Sequence, residues 1–309
     1  MTQNIHPTKL RRNLRFWIQI TGTAISLILL IWLISRQDWN ATFIRLRALP
    51  LWVLCTCLGL AVSGMLFNCL RWYILVRAEG VPISYAEIVQ IVFAGAFASN
   101  FLPSTIGGDV YRVVALLNFT SDKSLAFASV VVDRGLNVIS YITLLPLTIL
   151  TFGSPFEIWL KLQKPAEKTA MVPALSQAWN WARQVITKLL SAFTRWVRRP
   201  TVLALGLLCS YGSNLVIFAM IWLLATHLGI SVRLYQVIGI SVSTYLITLL
   251  PISVNGYGVR EIATTTLYMS LGATLEQATT LALLSRVFML IQSLPGAFWL
   301  SHISRNPQR

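Results

Sequence analysis

Residues 100–112, Asn-Phe-Leu-Pro-Ser-Thr-Ile-Gly-Gly-Asp-Val-Tyr-Arg, interrupt a long apolar helical pattern with a proline, two glycines and two charged side chains. Pro103 removes a backbone donor and bends a helix, and the glycine pair permits a turn or a close backbone approach. A helix that restarts after such a break directs free N–H groups and its positive dipole end at it, which predicts an anion-binding corner. The alternative is a kinked structural helix in which Asp109 pairs with Arg112.

The composition around this break is that of an integral membrane protein. Of 309 residues, 56% are hydrophobic and 11% are charged, and the mean hydropathy is +0.68. The 25 Lys and Arg against 10 Asp and Glu give a net charge of +15, but the basic residues flank apolar runs, which is an orientation signal of membrane proteins. We therefore expect no nucleic-acid partner. Unwound backbone in a bilayer is tolerated only where protein covers it or water lines it, so the break predicts a polar cavity.

The first apolar run covers residues 16–34 and follows a basic segment that contains Lys9, Arg11, Arg12 and Arg15. Its length is roughly the 20 residues that a spanning helix needs. It is too long for the apolar part of a signal peptide, and no small-residue cleavage site follows it. The basic flank places the N-terminus in the cytoplasm.

The rest of the chain predicts further apolar helices that bring the total to about six spans, besides the broken segments. The second span stops at Arg71, with Trp72 and Tyr73 as interface anchors. Ser84 and Glu87 form a capping box that opens the helix leading to the first break. The predicted apolar helices cover residues 50–70, 124–152, 201–226, 234–250 and 278–299.

The long polar section, residues 153–200, is basic and carries apolar residues near helical spacing between 173 and 197. This pattern is typical of a helix that lies on an anionic membrane surface, and the positive-inside rule places it in the cytoplasm. An odd number of crossings must then link it to the second span. We therefore expect residues 85–119 to cross once and the helix with Asp133 to return. The alternative is a hairpin that enters and leaves on the cytoplasmic side, which would leave eight basic residues outside.

A second break at residues 249–261, Leu-Leu-Pro-Ile-Ser-Val-Asn-Gly-Tyr-Gly-Val-Arg-Glu, resembles the first. In both, Leu-Pro is followed by small or glycine residues and then by an acid and an arginine, in opposite order. Two broken helices in corresponding halves are the sequence pointer to a transport site built from a repeat. Coincidence is the competing explanation for this weak internal repeat.

Charged residues also lie within apolar helices. Asp133 and Arg134 are adjacent in one of them, and either face a cavity or form an interfacial salt bridge. An unpaired Arg286 would be costly in the last span, so we expect it to meet Glu261, Asp109, Asp133 or a bound anion.

Three motifs carry a resemblance to a known family: Asn-x-Leu-Pro-x-x-x-Gly-Gly-Asp-x-x-Arg at 100–112, Val-Val-Asp-Arg at 131–134, and Pro-x-Ser-x-Asn-Gly-x-Gly-x-Arg-Glu at 251–261. Together they resemble the lysylphosphatidylglycerol synthase transmembrane family, also called flippase-like membrane proteins. The resemblance covers nearly the whole chain, although Asn255 stands where a glycine is usual. It implies a multi-pass bacterial inner-membrane protein that moves an amphiphile between leaflets. Full-length synthases of the family add a soluble C-terminal aminoacyltransferase domain, which this chain lacks, so synthesis of that lipid is not expected.

Enzyme functions find little support in the residues. The three histidines are dispersed, no Ser-His-Asp set is evident, and the four cysteines lie in apolar runs without a metal-ligand pattern. We expect no metal and no cofactor. An intramembrane lipid-phosphate transferase that holds a metal with Asp109, Asp133 and Glu261 is one alternative, and a non-catalytic scaffold of a lipid or envelope synthesis complex is another. The Gly-Lys-Ser/Thr of a P-loop is absent, so movement of a substrate would be downhill or ion-coupled.

The sequence thus predicts an all-α integral membrane protein, a single polytopic domain over residues 1–309, with both termini cytoplasmic. The expected partners are membrane lipids: an anionic or aminoacylated phospholipid, or a lipid-linked sugar. A homo-oligomer or a synthase partner is a further possibility. In the predicted site the arginines meet a lipid phosphate, while the acids hold them in place or receive a cationic headgroup. The candidate substrate-binding residues are Asn100, Ser104, Gly107, Gly108, Asp109, Arg112, Asp133, Arg134, Asn255, Gly256, Arg260, Glu261 and Arg286.

Overall fold

The computed structural model describes residues 47, 49–101, 107–152, 196–249 and 257–303. Within these ranges the chain is helical and contains no strand, as the sequence predicts. Ten helices have described bounds: α1 Leu51–Ala78, α2 Tyr85–Phe101, α3 Gly107–Leu116, α4 Lys123–Thr143, α5 Leu145–Phe152, α6 Pro200–His227, α7 Leu234–Leu249, α8 Val259–Ser270, α9 Leu275–Ser293 and α10 Gly296–Ile303.

Three helical stretches are long and apolar enough to cross a membrane: α1, the combined α4–α5 stretch Lys123–Phe152, and α6. They confirm a multi-pass membrane protein. The span predicted at 50–70 is longer than expected, because α1 continues to Ala78. The span predicted at 16–34 and the basic section over residues 153–195 lie outside the described residues.

Helices α1 and α6 pack against each other and run antiparallel. Residues near the start of one helix contact residues near the end of the other, and the order of contacts reverses along the pair. The contacting pairs are Trp52 with His227, Cys57 with Met220, Gly64 with Ser213, and Arg71 with Ser210.

The helices of residues 51–152, the first half, recur in the same order in residues 200–303, the second half. Corresponding helices are 28 and 28 residues long for α1 and α6, 17 and 16 for α2 and α7, and 10 and 12 for α3 and α8. The last two pairs are 21 and 19 residues for α4 and α9, and 8 and 8 for α5 and α10. Because the corresponding helices α1 and α6 are antiparallel, the repeat is inverted.

The turns between corresponding helices repeat as well. Gly80 and Gly229 each lie two residues beyond the preceding helix, with φ of 81° and 77°, a region that glycine adopts at little cost. The predicted capping box is present before α2, where the Ser84 amide donates to the Glu87 carboxylate over 2.7 Å. A matching bond over 2.8 Å joins the Arg233 amide to the Gln236 side chain before α7.

Helix α3 folds back along α2, so these two helices form a first hairpin. A Cβ atom on Gly108 would collide with the Gly95 carbonyl oxygen and the Ser99 hydroxyl, and Arg112, one turn later, lies beside Gly95. This close backbone contact is possible because both facing residues are glycines. The expected single crossing of residues 85–119 is therefore wrong: the chain re-enters and leaves at the end where it entered.

Helices α7 and α8 form the corresponding second hairpin. Gln277, in the first turn of α9, donates to the carbonyl oxygens of Leu228 and Gly229 at 3.1 and 3.1 Å. The chain that leaves α8 is therefore back beside the start of α7. Since α1 and α6 are antiparallel, the two hairpins enter the bundle from opposite ends.

Each half ends in a short helix that packs against the hairpin of the other half. In the first half, Thr148 on α5 donates to the Gly239 carbonyl on α7 over 3.2 Å. In the second half, Gly296 at the start of α10 lies so close to the Phe93 backbone of α2 that a Cβ would collide with it. This reciprocal exchange ties the two halves into one unit.

The described ends of the 153–195 connection lie at opposite ends of α1. Thr151 donates to the Tyr235 carbonyl at the start of α7, on the side where α1 begins. Trp196 donates to the Leu75 carbonyl near the end of α1 over 3.2 Å.

Candidate functional site

The two hairpins meet at Asn100 and Tyr257, the residues beside their tips. The Tyr257 hydroxyl, two residues before α8, donates to the Asn100 carbonyl oxygen near the end of α2 over 2.8 Å. The Asn100 amide in turn donates to the Ser293 hydroxyl on α9 over 3.1 Å. Asn100, just before the first break, therefore joins the first hairpin to the second half.

A group of charged residues lies beside the first hairpin: Arg71, Asp109, Arg112, Asp133 and Arg134, the first charged cluster. At its centre, the Asp133 carboxylate accepts from Arg71 Nε at 2.6 Å and from Arg112 Nη2 at 2.9 Å. These three side chains are 3–8% exposed. Such desolvated charges are tolerated only because each has a partner.

The buried part of this cluster is braced by neutral groups. The Arg112 guanidinium lies 4.3 Å from the centre of the Trp72 ring, and Arg71 Nη1 donates to the Ser210 hydroxyl over 3.0 Å. Cation–π contacts strengthen when the cation is desolvated. Asp133 and Arg112 therefore form a structural unit that couples α1, α3 and α4.

Arg71 is a site residue that the sequence pattern did not reveal. We predicted that it ends the second span with Trp72 and Tyr73 as interface anchors, but α1 continues past it and Trp72 is completely buried. The Trp72 indole donates to the Ser129 hydroxyl instead. One signal was available in the sequence: Arg71 has no acidic residue nearby. It belongs to an excess of arginine over acidic residues in the membrane segments.

The other part of the first charged cluster is accessible. Arg134 forms a side-on pair with Asp109, with Nη2 2.8 Å from Oδ1 and Nε 3.2 Å from Oδ2. The Arg134 side chain is 56% exposed and that of Asp109 is 28% exposed. Solvent or a ligand can therefore reach this ion pair, and the polar cavity predicted around it stays a prediction.

Two stacked tyrosines lie beside the first charged cluster. Tyr141 of α4 and Tyr245 of α7 stack with ring centroids 3.8 Å apart and planes 13° from parallel. The Tyr245 hydroxyl accepts from the Asn137 amide, and the side-chain carbonyl oxygen of Asn137 accepts from Arg71 Nη1 at 3.4 Å. This pair could not be predicted from the sequence, because tyrosines are common in membrane helices.

Arg260, Glu261 and Arg286 form the second charged cluster, beside the second hairpin. Glu261 Oε1 accepts from Arg286 Nε at 2.6 Å, and its other oxygen accepts from the Gly258 amide at the start of α8. The expectation that Arg286 meets Glu261 is confirmed. The Arg286 guanidinium also stacks over the Tyr257 ring at 4.3 Å, so this cluster touches the hairpin tip.

The Asp109–Arg134 and Glu261–Arg286 pairs occupy equivalent positions in the two halves. Each joins the start of a hairpin's second helix to the following long helix, and in each the partners are 25 residues apart. Their exposure differs: Arg134 and Asp109 are 56% and 28% exposed, whereas Arg286 and Glu261 are 9% and 4% exposed. The inverted halves therefore do not present their ion pairs equally.

Most of the sequence-predicted site residues converge at these two places. Asp109, Arg112, Asp133 and Arg134 come together in the first half, and Arg260, Glu261 and Arg286 in the second. Asn100 lies at the tip contact, and the glycine pair begins α3, where Gly108 packs on α2. Ser104, Asn255 and Gly256 lie outside the described residues.

A search of the described residues for three or more clustered His, Cys, Asp or Glu side chains that could hold a metal ion finds none. The cysteines Cys55, Cys57, Cys69 and Cys209 are free thiols, and only Cys55 is exposed. The acids of the charged clusters bind arginines.

Comparison with known proteins agrees with a membrane protein. A family model described as the lysylphosphatidylglycerol synthase transmembrane region matches residues 19–296. The chain belongs to this family. Two relatives are UPF0104 membrane proteins from archaea: that of Pyrococcus horikoshii is 26% identical over 140 residues, and that of Methanothermobacter thermautotrophicus is 31% identical over 114 residues. The matched segments cover 44% and 36% of this chain and 40% and 33% of the relatives, so the likeness spans less than half of each of them.

Proposed function

We propose that this protein moves a phospholipid or another lipid-linked amphiphile between the two leaflets of the membrane. One observation carries the proposal: two hairpins of inverted topology meet at the Tyr257–Asn100 contact, with a charged cluster beside each. Broken helices at a repeat interface are the usual construction of transporter sites in membranes. The family's lipid-related description is consistent with it.

The charged clusters supply what a lipid headgroup needs on its way across. A headgroup that leaves water loses several kcal/mol of hydration unless fixed charges or dipoles replace it, and charges act strongly in a low-dielectric interior. Arg134 is accessible at its pair with Asp109, and the Tyr141–Tyr245 stack adjoins the same charged cluster through Asn137, which accepts from Arg71. Acyl chains need no such path, because they remain in the surrounding lipid.

The inverted repeat supports alternating access. Two halves of equivalent structure and opposite orientation can exchange roles, so that one hairpin opens to one leaflet and its counterpart to the other. The ion pairs of the two halves are unequally exposed, as expected for a state in which one half is open and the other is closed. Because the sequence contains no P-loop, the movement is downhill or coupled to an ion gradient.

The proposal includes location in a bacterial inner membrane with the N-terminus in the cytoplasm. The basic residues support this orientation. Arg77, Lys123, Arg198 and Arg199 lie at the end of the bundle where α1 ends and α6 begins, and Arg47 and Arg233 lie at the other end. By the positive-inside rule the first of these ends faces the cytoplasm.

The test is leaflet exchange of labelled lipids in proteoliposomes, measured for a panel of headgroups with and without an imposed proton gradient. We expect exchange faster than in protein-free liposomes for at least one headgroup, with the lipid chemically unchanged. Equal rates with and without protein for every lipid would refute the proposal, and a chemically altered lipid would favour a transferase. Rates that ignore the gradient would exclude proton coupling alone.

A further inference from the structure

The second charged cluster carries an unneutralised positive charge. It contains two arginines and one acid, and the Glu261 carboxylate is occupied by Arg286 Nε and by the Gly258 amide. Among the described residues, the polar contact of the partly buried Arg260 side chain is Met289 Sδ, 3.5 Å from Nη1. Arg286 Nη1 reaches the same sulfur at 3.7 Å, so the two guanidinium groups are neighbours.

This arrangement leaves guanidinium N–H donors without an acceptor at a site that is shielded from solvent. The Arg286 side chain is 9% exposed, and its Nη2 has no hydrogen-bond partner among the residues that the structure describes. A thioether sulfur is a weak acceptor and does not neutralise a guanidinium. Two adjacent cations with one carboxylate repel each other, and burial of an unpaired charge in a membrane protein is expensive. An anion between them removes both penalties.

The position of Arg260 adds to the attraction for an anion. It is the second residue of α8, at the positive end of that helix dipole. Planar guanidinium groups bind phosphate through paired hydrogen bonds, and Arg260 and Arg286 together offer several unused donors.

The acids of the two clusters are, by contrast, already occupied. Asp133 binds Arg71 and Arg112, Asp109 binds Arg134, and Glu261 binds Arg286. An ammonium group on a headgroup would therefore meet a net positive cluster with no carboxylate available in it. The positive charges of Arg260 and Arg286 would repel such an ammonium group as it passed them.

We propose that Arg260 and Arg286 form a binding site for an anionic phosphate group at the tip of the second hairpin, and that this site selects lipids with a net anionic headgroup over aminoacylated ones. The selection of a lipid rests on the proposed function; binding of the phosphate group does not. The two parts are therefore tested separately.

The binding test measures thermal unfolding of the purified protein in neutral detergent with short-chain phosphatidylglycerol, short-chain lysylphosphatidylglycerol or inorganic phosphate. We expect short-chain phosphatidylglycerol to raise the unfolding temperature in a saturable way, since a ligand bound to the folded state stabilises it. R260Q should lose the effect, whereas R233Q, an exposed arginine of the same half, should retain it. No stabilisation by any of the three ligands, or an equal effect on R260Q, would overturn the phosphate site. A response to inorganic phosphate without one to phosphatidylglycerol, or equal stabilisation by the lysylated lipid, would overturn the selection of anionic lipids.

The transport test compares leaflet exchange of phosphatidylglycerol, lysylphosphatidylglycerol and phosphatidylethanolamine. We expect phosphatidylglycerol to exchange fastest, and R260Q to slow it by at least about tenfold, the scale of one lost charge-assisted hydrogen bond. R233Q should stay within about twofold of the unmodified protein, the scale on which an exposed charge matters. Faster exchange of the lysylated lipid would overturn the selectivity and leave the proposed function standing. Absence of exchange for every lipid, despite phosphate binding, would overturn the proposed function and the claimed selection together, leaving an anion site alone.

Discussion

At the residue scale, the same pair of residue types serves two different purposes in this protein. Asp133 shares its carboxylate between two buried arginines and holds three helices together. Asp109 and Arg134 form an accessible pair beside the first hairpin. Burial, rather than residue type, therefore separates the charges that stabilise the fold from those available to a substrate.

This difference in burial predicts a large loss of stability for one substitution and a small loss for a matched one. Asp133→Asn leaves two buried arginines without a counter-charge, and we expect a loss of about 3–5 kcal/mol of stability, as measured when buried pairs lose one partner. Asp109→Asn breaks an accessible pair, for which we expect less than about 1 kcal/mol. Thermal unfolding in detergent, followed by circular dichroism, compares the two variants.

The leaflet exchange rate of the same two variants is a second measurement of this difference. If the proposed function is right, Asp109→Asn should fold normally and exchange lipid poorly, because Arg134 loses the carboxylate that orients it. If Asp109→Asn unfolded as readily as Asp133→Asn, the separation of structural from accessible charge would be incorrect.

The charged residues of the site were easier to predict from the sequence than the partners that they bind. Asp133, Arg134 and Arg286 were recognisable because a charge within an apolar helix is costly and needs a reason. Arg71 was not, because an arginine after a span of ordinary length has the pattern of a helix end. The pairing of Arg286 with Glu261 was one of several expected, since the sequence does not encode which helices face each other.

At the element scale, a glycine-to-glycine contact sets the direction of the first hairpin. Gly108 packs on Gly95, so α3 can lie against α2 without side chains between them. The proline and glycines of the break predicted that the helix is interrupted, but not that the second piece turns back. That direction follows from packing against α2, a tertiary contact that the local pattern does not contain.

The hairpin contact predicts the effect of a single methyl group. Gly108→Ala places a Cβ against the Gly95 carbonyl and the Ser99 hydroxyl, and we expect a cost of about 1–3 kcal/mol, as for other overpacked interiors. Gly59→Ala on α1 is the matched control, because nothing lies within 4 Å of its added Cβ. This control should be neutral or stabilising by roughly 0.5–1 kcal/mol, since alanine favours helix over glycine.

The measurement is again thermal unfolding, with the leaflet exchange rate as a second readout. An unfolding temperature for Gly108→Ala equal to that of the Gly59→Ala control would mean that α2 and α3 are not in close contact. In that case the segment does not re-enter as a hairpin.

At the scale of the whole molecule, the inverted repeat fixes which turns share a side of the membrane. The α1–α2 turn and the α3–α4 turn flank the first hairpin at one end, and the α6–α7 turn lies at the other. In a cysteine-free background, single cysteines at Glu79, Ser121 and Ser231 should react with an impermeant thiol reagent from different sides. We expect Glu79 and Ser121 to report the cytoplasm and Ser231 the outside; a Ser121 cysteine that labels with Ser231 would restore the single crossing.

The last prediction concerns the contact between the hairpin tips, which must open if the two halves exchange roles. Among the described residues, the hydrogen bond of 2.8 Å from the Tyr257 hydroxyl to the Asn100 carbonyl joins the two hairpins beside their tips, and such a bond is weak enough to break during each cycle of the proposed transport. The pair Asn100→Cys and Tyr257→Cys, in the cysteine-free background, can be joined by a short bifunctional thiol reagent with a reducible centre. We expect the cross-link to abolish leaflet exchange and a reductant to restore it. Each single-cysteine variant treated with the same reagent should keep the rate that it had before treatment. Restoration by reductant separates a locked conformation from damage to the protein. Exchange that continues at its original rate in fully cross-linked protein would show that the tips stay together while lipid moves, and the alternating movement of the hairpins would have to be abandoned.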